Sequence, residues 1–219
     1  MKLFLLLALA IAPPVQEAKT AADKVLFEEK FAGELSKEWA WVREDAKAWR
    51  IDKDKGTLVL RNLPGYLHAG YNNSRNILLR PMPKSNKAIA IEVHVEAEPK
   101  VQYEHAGVVW YVDDDNYVSL FQEVLKGEVE LQMVSEKAGK GTFHVAKHSA
   151  KGVWLRLVID GVKATTHFKP ADDAAWKTVG QSALPSMKEG RIGVMAGGAP
   201  KDADRYVRFR GFRIVELGK

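Results

Sequence analysis

Residues 103–125 read YEHAGVVWYVDDDNYVSLFQEVL, and this stretch decides the fold. Residues 106–112 form an almost continuous apolar run, the pattern of a strand in the middle of a sheet. Asp113-Asp114-Asp115-Asn116 then makes a turn, because short polar side chains hydrogen-bond their own backbone there. A partner strand follows over 117–125, with Tyr117, Ser119, Phe121 and Glu123 on one face by the two-residue period of an extended chain. The same pattern continues outward in both directions. Ile89, Ile91, Val93, Val95 and Ala97 alternate with Glu92, His94 and Glu96. Val129, Leu131 and Met133 oppose Glu130 and Gln132, and Val153, Leu155, Leu157 and Ile159 oppose Trp154 and Arg156. Further turns are expected at Asp54-Lys55-Gly56, Lys126-Gly127, Lys140-Gly141, Asp160-Gly161 and Gly197-Gly198. Many short strands at regular spacing mean a β-sandwich or a barrel. Residues 34–48 are the one stretch whose pattern leaves a helix open. With no internal repeat and no linker after residue 25, a single domain is expected over residues 23–219.

Composition narrows the classes. The 219 residues are 46% hydrophobic and 28% charged, which excludes disorder and fibrous repeats. Cysteine is absent, so disulfides, thiolate metal sites, a cysteine nucleophile and a lipid-bearing cysteine are excluded. Lys and Arg number 33 against 28 Asp and Glu, a net +5 spread along the chain rather than gathered for nucleic acid. At the N-terminus, Lys2 precedes the apolar run Leu3–Ala12, which Pro13-Pro14 ends. A membrane span needs about 20 apolar residues, so the run fits a secretory signal instead. Thr20-Ala21-Ala22 offers small residues for cleavage. The expectation is a signal peptide over residues 1–22 and a protein that is secreted, or held in the periplasm or cell envelope, with no membrane association once the signal is removed.

The order of landmarks resembles a known superfamily. Phe27-Glu28-Glu29-Lys30-Phe31 opens the domain, followed by Trp39-Ala40-Trp41, Trp49-Arg50-Ile51 and Gly56-Thr57-Leu58-Val59-Leu60. The quoted hairpin comes next, then Val153-Trp154-Leu155-Arg156-Leu157, Arg191-Ile192-Gly193-Val194-Met195-Ala196 and Phe209-Arg210-Gly211-Phe212. This set is similar to the concanavalin A-like lectin/glucanase superfamily, in particular to the C-terminal accessory domain of family 43 β-xylosidases and related stand-alone domains of unassigned role. The resemblance implies an all-β, two-sheet antiparallel jelly roll that binds glycan on one concave sheet without cleaving it. Such domains often close in Phe-Asp-Asp-Phe, and here Arg210-Gly211 replaces the carboxylates, a departure that tells against a calcium site built on them.

Sugar recognition needs aromatic faces for rings and planar polar groups for hydroxyls. Period-two bookkeeping nominates His94, Glu104, Tyr111, Tyr117, Ser119, Glu123 and Arg156 as the groove, with Arg43 and Arg80 reaching from its edges. The alternative is a glycoside hydrolase, which needs two carboxylates about 5–10 Å apart. The Glu-x-Asp-x-x-Glu strand of the superfamily's glycanases is absent, and Glu104 with Glu123, facing each other across the hairpin, is the best remaining pair. A third reading is a structural or protein-binding domain of the envelope. No histidine set completes a zinc sphere. Asp113-Asp114-Asp115-Asn116 carries oxygens for calcium but lacks the glycine and distal glutamate of an EF-hand loop, so no cofactor is expected, with calcium as the alternative. Arg205, Arg208, Arg210 and Arg213, alternating with Val207, Phe209 and Phe212, read as an outer strand whose arginines deter edge pairing.

Overall fold

The computed structural model describes residues 22–148, 150–184 and 190–218. The run Leu3–Ala12 and the Pro13-Pro14 break lie outside the described residues. Among the described residues the elements are strands β1 (Lys24–Glu29), β2 (Ala40–Val42), β3 (Trp49–Asp52), β4 (Thr57–Arg61), β5 (Ile77–Pro81), β6 (Ile89–Glu96), β7 (His105–Asp113), β8 (Asn116–Leu125), β9 (Glu128–Lys137), β10 (Lys140–Lys147), β11 (Gly152–Asp160), β12 (Lys163–Lys169), β13 (Lys177–Ala183), β14 (Arg191–Gly197) and β15 (Tyr206–Glu216), with one short 3-10 turn at His68–Gly70. They form two antiparallel sheets. The first runs β13-β12-β11-β6-β15-β4-β3, with β1 also on β15, and the second runs β10-β9-β8-β7-β14-β5-β2. The all-β, two-sheet antiparallel sandwich that the resemblance implies is the observed architecture.

The core lies between the sheets. Val93, Val95, Leu155, Leu157, Phe209 and Phe212 face it from the first sheet, and Val108, Trp110, Leu120, Met133, Ile192 and Val194 from the second. On the second sheet the alternate residues build a separate buried cluster on the outer face, made of Ile77, Leu79, Val109, Tyr111, Tyr117, Phe121, Val134 and Met195 under Leu67 of the β4–β5 connection. Both faces of these strands are thus covered near the middle, which is why 106–112 reads as unbroken apolar sequence.

Residues 34–48, whose pattern leaves the element open, contain β2 and turns. Two expectations change. The β9–β10 turn sits at Ala138-Gly139, both at positive φ, with Lys137 opposite Lys140, so Lys140-Gly141 begins β10. A two-residue hairpin of this kind needs left-handed backbone at both central positions, and Gly139 supplies the cheaper of the two. Finally, β15 is not an edge strand: β6 pairs it on one side, and β4 and β1 on the other. Arg213 of β15 pairs with buried Glu92, and Arg205, just before the strand, with buried Glu104.

Candidate functional site

The site is set by register on the outer face of the second sheet. The acidic turn pairs Tyr111 with Tyr117 and, farther along, His105 with Glu123. The next hairpin turns at Lys126-Gly127, both at positive φ, and pairs Glu123 with Glu130. Across the sheet, Gly197, His105, Glu123 and Glu130 therefore form one transverse row. The next row is Met195, Gly107, Phe121 and Gln132. Gly197 matters here: a Cβ on it would come within 3.1 Å of the His105 ring, so its bare backbone makes room for the imidazole.

The connection over residues 62–76 crosses this face and leaves a cleft of about 940 Å³ beside it. Its floor is Tyr117, Phe121, Val134 and Met195; its rim is Tyr66, His68, Tyr71 and Tyr103 with Phe143 and Val145 of β10, and it closes where His68 packs edge-on to Phe143 at 5.0 Å. The rim is aromatic and open, with Tyr71 66% and Tyr103 53% exposed, unlike the floor, where Tyr117 is 1% exposed. Tyr66 packs edge-on to Tyr71 at 5.9 Å between ring centroids, and the His105 ring lies 4.6 Å from that of Phe121.

Glu123 is the chemical centre. Its side chain is buried, and Oε2 has no hydrogen-bond partner among the described residues. Burial in this apolar setting pushes its pKa up to about 8, so at neutral pH it is largely a carboxylic acid, able to donate as well as accept. Burial lowers the pKa of His105, whose Nδ1 lies 2.8 Å from the Tyr103 carbonyl, and its ring stays neutral. Tyr117 donates to Glu136 Oε2 at 3.2 Å, and His68 Nδ1 meets the same oxygen at 2.8 Å. Burial and then the Glu136 charge hold the Tyr117 phenol protonated. Glu136 thus ties the cleft floor to the loop that roofs it.

The structure brings some of the nominated residues together and separates others. Tyr117 and Glu123 line the cleft. Tyr111 and Ser119 share its sheet face but lie away from the opening: Tyr111 donates to Asp114 Oδ1 at 2.8 Å, and Ser119 is fully buried between Val109 and Val134. Glu104 is on the opposite face, where its carboxylate takes Arg205 at 2.7 Å, Asn62 and the backbone N–H of Lys100. It does not face Glu123; alternation on β7 gives that place to its neighbour His105. The carboxylate across from Glu123 is Glu130. His94 and Arg156 lie on the outer face of the first sheet. There His94 packs on Trp154, and burial together with Arg210 lowers its pKa to about 4, while Arg156 pairs with Glu92 at 2.7 Å. Arg43 clamps Asp114 through two 2.8 Å hydrogen bonds, and Arg80 sits over the Phe27 ring rather than at a groove edge.

In the acidic turn, Asp113 accepts from Asp115 N–H and Asn116, Asp114 holds Arg43 and Tyr111, and Asp115 accepts from Asn72. Each carboxylate is engaged by protein donors. Among the described residues no three His, Asp or Glu side chains converge as a metal sphere.

Residues 28–213 match the family model described as the β-xylosidase C-terminal concanavalin A-like domain. Among solved structures, the GH43 protein BlXynB from Bacillus licheniformis superposes with a TM-score of 0.76 at 18% identity, over 87% of this chain and 39% of that one. A xylan β-1,4-xylosidase from Bacillus halodurans C-125 gives 0.72 at 20% identity, over 93% and 41%. A functionally unknown protein from Saccharomyces cerevisiae gives 0.66 at 18% identity, over 82% of this chain and 96% of that one. At these identities the likeness is one of fold. The chain spans about 39% of the length of BlXynB. No curated protein matches at a significant level.

Proposed function

Since the chain belongs to the family of β-xylosidase C-terminal concanavalin A-like domains, we propose that it is a carbohydrate-binding protein that holds glycan, without cleaving it, in the cleft on the outer face of the second sheet. One observation carries this reading. Glu123, a buried carboxyl group with one oxygen unpartnered among the described residues, stands at the foot of a cleft whose rim is exposed tyrosine. A sugar satisfies both features at once, stacking its ring on an aromatic face and hydrogen-bonding a hydroxyl to the carboxyl. We further infer export, on the strength of the Leu3–Ala12 run and its Pro13-Pro14 stop. Intact mass of the exported protein should show a start between residues 13 and 24, and an intact Met1 on it would contradict export by cleavage.

The test is affinity measured on soluble and insoluble polysaccharides for the native protein, Tyr71→Ala and Glu123→Gln, with melting curves alongside. Tyr71 is largely exposed, so its truncation should leave stability unchanged and weaken binding by about 1–3 kcal/mol. Undiminished binding by both variants would remove the cleft from consideration.

A second reading, hydrolysis, has one observation in its favour. Glu130 lies directly opposite Glu123 on the neighbouring strand, where cross-strand Cβ atoms are about 5 Å apart. Glycoside hydrolysis needs a pair of carboxyl groups, and Glu123 has the protonated state that a general acid needs. Release of reducing ends that Glu123→Gln abolishes would replace the binding proposal with this one.

A further inference from the structure

Resting on the reading that the cleft takes a glycan, we propose that its preferred ligand is a sugar bearing a free ammonium group, an oligosaccharide of unacetylated amino sugars. The argument begins with charge. Glu123 and Glu130 line the cleft from adjacent strands, and Glu136 lies behind them on the same face. Among the described residues Lys126 is the one lysine or arginine lining the cleft. Lys147 stands beside Glu130 on the edge strand, and His68 is held by Glu136. With Glu123 protonated, the charged lining is Glu130 against Lys126, so the cleft is close to neutral where the chain as a whole is net +5.

The second observation is the state of Glu123. It is 5% exposed, lines the cleft, and keeps one carboxyl oxygen without a partner among the described residues. Across from it, Glu130 offers a second carboxyl group and His105 a neutral ring; neither supplies a cation. An ammonium brings three donors and a full charge to such a place, where a hydroxyl brings one donor and none. The third observation is the rings. Tyr66, Tyr71, Tyr103 and Phe143 line the opening, and an ammonium is attracted to aromatic rings as well as to carboxylates. N-acetylation removes the charge and covers the nitrogen, so an acetylated sugar forfeits both attractions. Because burial holds Glu123 protonated, docking an ammonium favours its ionised form, and a proton is released to solvent.

Calorimetry on the full protein at about pH 6, where the amino sugar is already an ammonium and Glu123 is still an acid, with glucosamine, N-acetylglucosamine and xylose oligomers of equal length, tests the proposal. The glucosamine oligomer should bind on the order of tenfold more tightly than either of the others. The preference should shrink in about 0.5 M salt, should fall in Glu130→Gln, and should disappear in Glu123→Gln. The observed heat should also differ between buffers of different ionisation enthalpy, reporting the released proton. Melting curves identify either variant that fails to fold, and the salt and buffer dependences of the native protein carry the test without it. Equal or tighter binding of the N-acetylated or xylose oligomers overturns the inference and leaves glycan binding standing. Binding of no saccharide overturns both. A lysine oligomer that binds as tightly as the glucosamine oligomer overturns the assignment to a sugar.

Discussion

Glu123 is held as an acid by its burial, and that has a sign. Its folded pKa, about 8, lies above its ordinary value of 4.5. Below the ordinary value both folded and unfolded chains carry the proton, and the group's contribution is fully favourable. Between the two values the folded chain keeps a proton the unfolded chain has lost, so stability drains away as pH rises and levels off above about 8. Glu123→Gln removes this drain. Relative to the native protein the variant should gain up to a few kcal/mol between pH 5 and pH 8, as read by urea melts at both. Parallel stability profiles would show that Glu123 titrates normally. Tyr117 gives a different expectation, because it is floor rather than rim: Tyr117→Ala should cost about 3–5 kcal/mol, and Tyr117→Phe about 1–2 through the acceptor left on buried Glu136. Thermal melts that place Tyr117→Ala beside the native protein would contradict its burial. Both residues were legible in the sequence because an even separation on one strand puts them on one face. The same rule already told against Glu104, an odd seven residues from Tyr111. Glu130 was legible too, since a hairpin at Lys126-Gly127 sets Glu123 opposite it. His94 and Arg156 fall on the polar phase of their strands, but two sheets have two outer faces, and local alternation does not say which is which.

Strands announce themselves by period, and connections do not. The roof of the cleft, residues 62–76, has no repeat to read, so Tyr66, His68 and Tyr71 reach the site unannounced by any pattern. The close of β15 shows how an element explains a departure from the family's sequence. Gly211 sits at φ +61 in a bulge between Arg210 and Arg213, and a Cβ there would come 2.9 Å from the Trp154 ring. A side chain at this position is opposed by both the backbone and the indole, so Gly211→Asp, which restores one of the family's usual carboxylates, should cost about 1–3 kcal/mol by chemical denaturation. An unchanged midpoint would mean that the bulge relaxes at no cost.

At the scale of the whole molecule, the sandwich presents two outer faces of different character. One carries the cleft. On the other, Arg210 and Lys169 lie over Trp154, and Arg156 and Lys169 over Trp176, so cations already cover the indoles. Stability should not rest on a divalent ion, because the carboxylates of the acidic turn are taken by Arg43, Tyr111, Asn72 and the turn's own N–H and amide groups. Chelator should move the melting temperature by less than the few degrees that about 1 kcal/mol represents in a domain of this size; a larger drop would reveal a structural ion. The most direct measurement of the central claim is amide chemical-shift mapping of the protein titrated with a glycan that it binds. Shifts should concentrate at residues 66–71, 102–105, 121–126 and 130–134, around the cleft. A glycan that instead perturbs β11, β12 and the surroundings of Trp154 and Trp176, leaving Glu123 and its neighbours untouched, would place recognition on the opposite sheet and contradict the account.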